Sequence, residues 1–124
     1  MILSESEVRS YLRYAGFSGT ALRYAVAICN CESGFNTTAH NTAGEDSRGL
    51  MQINVNAHPQ YSGLDLFDPQ INTSIAFQIY QQAGRSFQPW TCATILGLTD
   101  PIDNYLIAGV VFFSGVLYYS LTRI

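Results

Sequence analysis

Lysine is absent from this 124-residue chain, and charge of either sign is scarce. Six arginines and nine acidic residues make 12% of the chain charged and leave a net charge of −3 at pH 7. With no basic cluster to neutralise a phosphate backbone, nucleic acid is excluded as a partner. Low-complexity tracts and internal repeats are also missing. Together with a hydrophobic content of 48%, this excludes a disordered polar chain and a solenoid. A length of this order supports one folded domain. Cysteine occurs three times, an odd count from which no disulfide framework can be read. Cys29 and Cys31 stand two positions apart on a helical stretch and point to different sides, so they cannot bridge each other. One of them is free to meet Cys92; equally, these are small buried hydrophobes. His40 and His58 complete no zinc-ligand spacing with them, so neither a metal nor another cofactor is expected. The first seven residues, Met1 to Glu7, show no basic segment followed by an apolar one, so no secretory signal is read there.

The periodicity that is present is helical. Ser4 and Glu7 form a capping box ahead of Val8, Tyr11, Leu12 and Ala15, with Gly16 as the stop. A second helix is expected from about Thr20 to Ser33, facing inward with Leu22, Ala25, Ile28 or Cys29, and Glu32, and ending at Gly34. Residues 35–47 read as loop, and Arg48–Asn54 as a short helix. Asp68-Pro69 is a strong helix start, followed by Asn72, Ile75, Ala76, Ile79 and Ala83 on one face until Gly84. No stretch alternates for long in the manner of a strand.

The last part of the chain reads differently. Tyr105–Leu121 contains seventeen residues, thirteen of them apolar and the rest Gly or Ser. As a helix it would extend roughly 26–28 Å, close to the ~30 Å hydrocarbon core of a bilayer. Tyrosines lie near both ends, and Asp103 and Arg123 bracket the segment, as interfacial anchors do. A membrane-spanning helix is therefore expected, with a buried C-terminal helix or a pair of core strands as the alternatives. The expected fold class is all-α: a helical domain over residues 1–103, then one transmembrane helix over 104–124.

Glu32 stands out chemically. A carboxylate in the last turn of an apolar helix meets the partial negative charge of the helix C-terminus. If it also faces the core, desolvation raises its pKa. Both effects keep the acid protonated near neutral pH, as a general acid for glycoside cleavage requires.

Two motifs sharpen that reading: Glu32-Ser33-Gly34-Phe35-Asn36, and Ser47-Arg48-Gly49-Leu50-Met51-Gln52-Ile53-Asn54. With His58-Pro59, Leu66-Phe67-Asp68-Pro69, Asn72, Ala76 and Tyr80, the chain resembles the soluble lytic transglycosylase family of the lysozyme-like superfamily over about residues 20–92. The resemblance implies a goose-lysozyme-like helical fold with a glycan cleft. It implies cleavage of the β-1,4 bond between N-acetylmuramic acid and N-acetylglucosamine in peptidoglycan, with Glu32 as the single acid/base. The glutamic acid protonates the leaving oxygen. As carboxylate it then accepts the proton of the muramic C6 hydroxyl, which attacks C1 and leaves a 1,6-anhydro end. Ser33 and Ser47 would line the cleft or cap local structure. Gly49, Leu50 and Met51 would pack beneath the acid and desolvate it, while Gln52 and Asn54 would bind substrate groups. Phe87-Gln88-Pro89-Trp90 would offer an aromatic platform for sugar faces, or Trp90 would be core.

The family's later A-Y-N-A-G motif and its downstream tyrosine have no counterpart here, which marks a minimal domain of the kind attached to phage proteins. Tyr80 and Tyr61 are the candidates to replace that tyrosine. Glu45 or Asp46, just ahead of the second motif, would make the protein a muramidase if either activates water. A different class is a non-catalytic, membrane-tethered subunit that binds glycan. The expected partners are peptidoglycan strands, a lipid membrane through Tyr105–Leu121, and viral capsid or membrane proteins. A catalytic domain without an export signal but with a terminal membrane helix suits an enzyme carried in the membrane of a lipid-containing bacteriophage and delivered to the cell wall from outside.

Overall fold

The computed structural model describes residues 1–102 in full and, for backbone alone, residues 105–107, 110–113 and 116–119. Ser4 caps α1 (Glu5–Ala15) by accepting from the Glu7 N–H, while the Glu7 carboxylate accepts from the Ser4 N–H; Gly16 ends the helix. α2 spans Gly19–Ser33 and stops at Gly34, whose φ of +59° is a left-handed cap. α3 (Pro69–Gln82) starts at Asp68, which accepts from the N–H groups of Gln70 and Ile71. α4 is the short segment Thr91–Leu96.

Between α2 and α3 lies a three-stranded antiparallel sheet of β1 (His40–Asn41), β2 (Ser47–Arg48) and β3 (Ile53–Asn54). The fold is therefore helical with a small sheet, and the all-α expectation is corrected. The stretch Arg48–Asn54, expected as a short helix, is the end of β2, a turn and β3. Gly49 at φ +75° and Gln52 at φ +49° leave the helical region and reverse the chain.

The C-terminal segment is also not the expected helix. It forms β4 (Tyr105–Ile107), β5 (Val110–Phe113) and β6 (Val116–Tyr119), paired antiparallel in the order β4-β5-β6. Among the described residues no helix is long and apolar enough to cross a membrane. A single-pass helical anchor is thus not supported, and the placement in a viral membrane that rested on it falls with it. The physical reason is compositional. Val, Phe and Tyr dominate these strands and favour extended backbone, while the intervening dipeptides Ala108-Gly109 and Ser114-Gly115 have the content of tight hairpins. The expected domain boundary at Asp103/Asn104 lies outside the described residues.

The core joins Val8 and Leu12 of α1, Leu22, Ala25, Ile28 and Cys29 of α2, Leu50, Met51 and Ile53 of the sheet region, and Ile75, Ala76 and Ile79 of α3. An aromatic group fills its far end. Tyr80 lies 4.7 Å from Phe87 and 5.2 Å from Phe17, ring centre to ring centre, and Phe87 lies 5.7 Å from Trp90. At the other end, Leu3 donates its N–H to the Phe35 carbonyl and Thr37 donates to the Met1 carbonyl, tying the loop after α2 to the chain start.

Candidate active site

Glu32 occupies the last turn of α2, half-buried, between α4 and the loop that leads into β2. Its Oε2 accepts the Cys92 backbone N–H at 3.0 Å. Burial pushes its pKa above the ordinary carboxylate value; the Cys92 N–H pulls the other way, and the Glu45 carboxylate adds to the rise. A partly desolvated acid with a second carboxylate acting on it is suited to remain protonated until it gives its proton away.

The turn between β2 and β3 is organised by Asn72. This buried side chain accepts from the Met51 N–H and donates to the carbonyls of Arg48 and Leu66, each at 2.8 Å. Three backbone groups of the 48–51 turn and the 66 corner are thereby satisfied by one amide. Gly49 fits against the same corner. An alanine Cβ there would run into the Leu66 carbonyl oxygen and lie 2.5 Å from the Asn72 amide nitrogen. Trp90 holds the same turn, its Nε1 donating to the Met51 carbonyl at 2.7 Å.

On the loop side, the Ser47 hydroxyl donates to Glu45 Oε1 and fixes that carboxylate. Asp46 is engaged elsewhere. Arg48 donates to both its oxygens, at 3.0 and 2.8 Å, and His40 Nε2 lies 2.7 Å from Oδ1. The Arg48 bonds, and then the His40 bond, hold the Asp46 pKa down to about 2.

Comparison with family models places this arrangement. The model for the lysozyme-like domain matches residues 9–92, about two-thirds of the chain. The chain belongs to the lysozyme-like domain family. Its class of enzyme is that of the peptidoglycan-cleaving glycosidases, and peptidoglycan is its substrate class. Comparisons with curated proteins and with solved structures found no match.

Within this lysozyme-like domain the residues singled out from the sequence separate into groups. Glu32, Glu45 and Ser47 form one cluster, linked by the Ser47–Glu45 bond and the field of Glu45 on Glu32. Ser33 is committed to its own helix, donating to the Cys29 carbonyl at 3.1 Å. Leu50 and Met51 are fully buried. Gln52 spends its amide N–H on the carbonyls of Ala39 and Gly49, both at 3.0 Å. The Asn54 side-chain oxygen Oδ1 accepts from the N–H groups of Asp46 and Asn56, fixing the loop that carries Glu45. Gln52, Asn54, His58 and Trp90 also border a small cavity of about 70 Å³. Tyr80, by contrast, has 0% exposure and donates its hydroxyl to the Ile102 carbonyl, and Trp90 is only 4% exposed. The structure thus sets both rings in the core, with little or no surface to offer a sugar. Tyr61 is buried too, its hydroxyl 3.5 Å from Gln78 Oε1.

Two features escape sequence reasoning. The Cys92 N–H on Glu32 comes from sixty residues away, and no local pattern announces it. The bridge between Cys31 and Cys92 could be narrowed only to Cys29 or Cys31 as partner; Cys29 is the buried free thiol. Among the described residues no group of three or more His, Cys, Asp or Glu side chains is placed to hold a metal ion.

Proposed function

We propose that the domain is a lytic transglycosylase that cuts the bond between N-acetylmuramic acid and N-acetylglucosamine with Glu32 as its single acid/base. The observation that carries this is the Glu32 carboxyl, half-buried at the end of α2 with its pKa raised by desolvation, within the stretch that belongs to the lysozyme-like family. The protonated acid delivers its proton to the bridging oxygen as the C1–O bond breaks. The carboxylate left behind then takes the proton of the muramic C6 hydroxyl as that oxygen bonds to C1. The attacking hydroxyl belongs to the substrate, so no second carboxylate is needed.

A second reading, a muramidase, is favoured by one observation: Glu45 is held by Ser47 and acts electrostatically on Glu32. In that reading Glu45 activates a water on the opposite sugar face. Asp46 is the poorer base, being ion-paired to Arg48 and beside His40. Digesting purified peptidoglycan and weighing the products separates the readings. The transglycosylase yields 1,6-anhydromuramic ends and the muramidase yields reducing ends heavier by one water. No soluble product at all would leave only a glycan-binding domain.

A further inference from the structure

Cys31 directly precedes Glu32 on α2, and its sulfur is bonded to that of Cys92 on α4. Cys92 also supplies the backbone N–H that Glu32 accepts. One residue therefore provides both the far end of a covalent bridge and a hydrogen bond on the acid. α4 is only six residues long and is seated by the buried Trp90 and Ala93 as well as by the bridge, which is its one covalent tie to α2 among the described residues. Cys31 is an exposed residue while Cys92 is buried, so a reductant would approach the bridge from the Cys31 side. The third cysteine does not compete. Cys29 is buried, its thiol donates to the Leu50 carbonyl at 3.4 Å, and burial pushes its pKa up to about 12. It yields almost no thiolate for exchange.

We propose that the Cys31–Cys92 bridge is a redox latch that holds the Cys92 N–H on the acid, so that the domain works at full rate only with the bridge closed. The proposal rests on Glu32 being the catalytic acid; Cys92 is a positioning residue. Opening the latch needs a thiol reductant. One external thiolate attacks the Cys31 sulfur and expels Cys92 as thiolate, which takes up a proton. A second external thiol then attacks the mixed disulfide and releases Cys31. The sum is two protein thiols for one external disulfide, two electrons and two protons having moved to the protein. With α4 released, Glu32 loses a donor that stabilises its ionised form. Among the described residues, the titratable groups that still bear on it are Glu45, from the loop before β2, and Cys29 on its own helix.

The test compares three forms of the full chain: oxidised, treated with dithiothreitol, and a Cys31→Ser/Cys92→Ser variant. Circular dichroism reports the fold, peptidoglycan turnover reports rate, and carbon-13 titration of labelled glutamate side chains reports Glu32, assigned with Glu32→Gln. The reduced protein should keep its helical spectrum and lose about tenfold or more in turnover, recovered on reoxidation. Its Glu32 resonance should titrate at higher pH, and the alkaline limb of its rate profile should move the same way. The double variant should match it and be indifferent to thiol. Reduced protein that keeps its rate within twofold and its titration unmoved overturns the latch; so does reduction that unfolds the chain, because the bridge is then a general staple. Failure of the Glu32 assignment looks different: oxidised Glu32→Gln would remain active, whatever thiol does.

Discussion

At the scale of the residue, three carboxylates within fifteen positions are set to three different tasks by their surroundings. Glu32 is half-buried and raised, Glu45 is tied by Ser47, and Asp46 is ion-paired and lowered to about 2. Removing the charge of Glu45 takes away a repulsion that keeps Glu32 protonated. Glu45→Gln should therefore move the alkaline limb of kcat/KM to lower pH. If the C6 hydroxyl is the nucleophile, its maximal rate should stay within a few-fold of wild type. A loss of about 100-fold or more would transfer the role of base to Glu45. Asp46 gives a stability prediction. Its folded pKa is below the unfolded value near 4, so its contribution is present above pH ~4 and is lost as pH falls towards ~2. Urea midpoints of wild type and Asp46→Asn should accordingly converge across that window. Asn72 bears on the turn between β2 and β3. Asn72→Ala would strand two buried backbone groups and a part-buried third, and should cost about 2–4 kcal/mol in urea unfolding, with the slope unchanged.

At the scale of the element, what was legible followed from how local its cause is. The capping box at Ser4/Glu7 and the Asp68-Pro69 start act within one turn, so α1 and α3 could be read directly from the chain. The sheet could not, because strands of two residues are too short to alternate and are held by pairing between His40–Asn41, Ser47–Arg48 and Ile53–Asn54. The apolar run from Tyr105 misled for another reason. Its hydropathy suits a spanning helix, while its β-branched and aromatic residues between glycine-bearing dipeptides suit hairpins, and the strands β4 to β6 follow the latter. Gly49 tests the turn that joins β2 to β3. Its positive φ and the closeness of the Leu66 carbonyl and the Asn72 amide leave no room for a side chain. Gly49→Ala should destabilise by about 2 kcal/mol or more, read as a lower urea midpoint, through displacement of the turn from the Leu66 carbonyl and Asn72.

At the scale of the whole molecule, contacts distant in sequence set the decisive positions: Cys92 on Glu32, Asn72 on the Met51 turn, Trp90 on the Met51 carbonyl. The place of Glu32 in the last turn of α2 was legible because the Gly34 stop that sets it is local. Its environment was not, since α4 and the Cys31–Cys92 bridge are joined to it only by folding. Keeping a carboxyl half-buried has a global consequence. A folded pKa raised above the unfolded one means that stability is fully present at low pH and declines as pH rises through the folded value. Glu32→Gln, whose amide oxygen can still accept the Cys92 N–H, should thus melt a few degrees higher than wild type at neutral pH, and the difference should vanish below pH ~4. The same substitution decides the central claim. Wild type and Glu32→Gln, matched in circular dichroism and in sedimentation with peptidoglycan, are compared for release of muropeptides. The account predicts that the glutamine form binds the glycan but turns it over at least about 100-fold more slowly. Turnover within tenfold of wild type would contradict it.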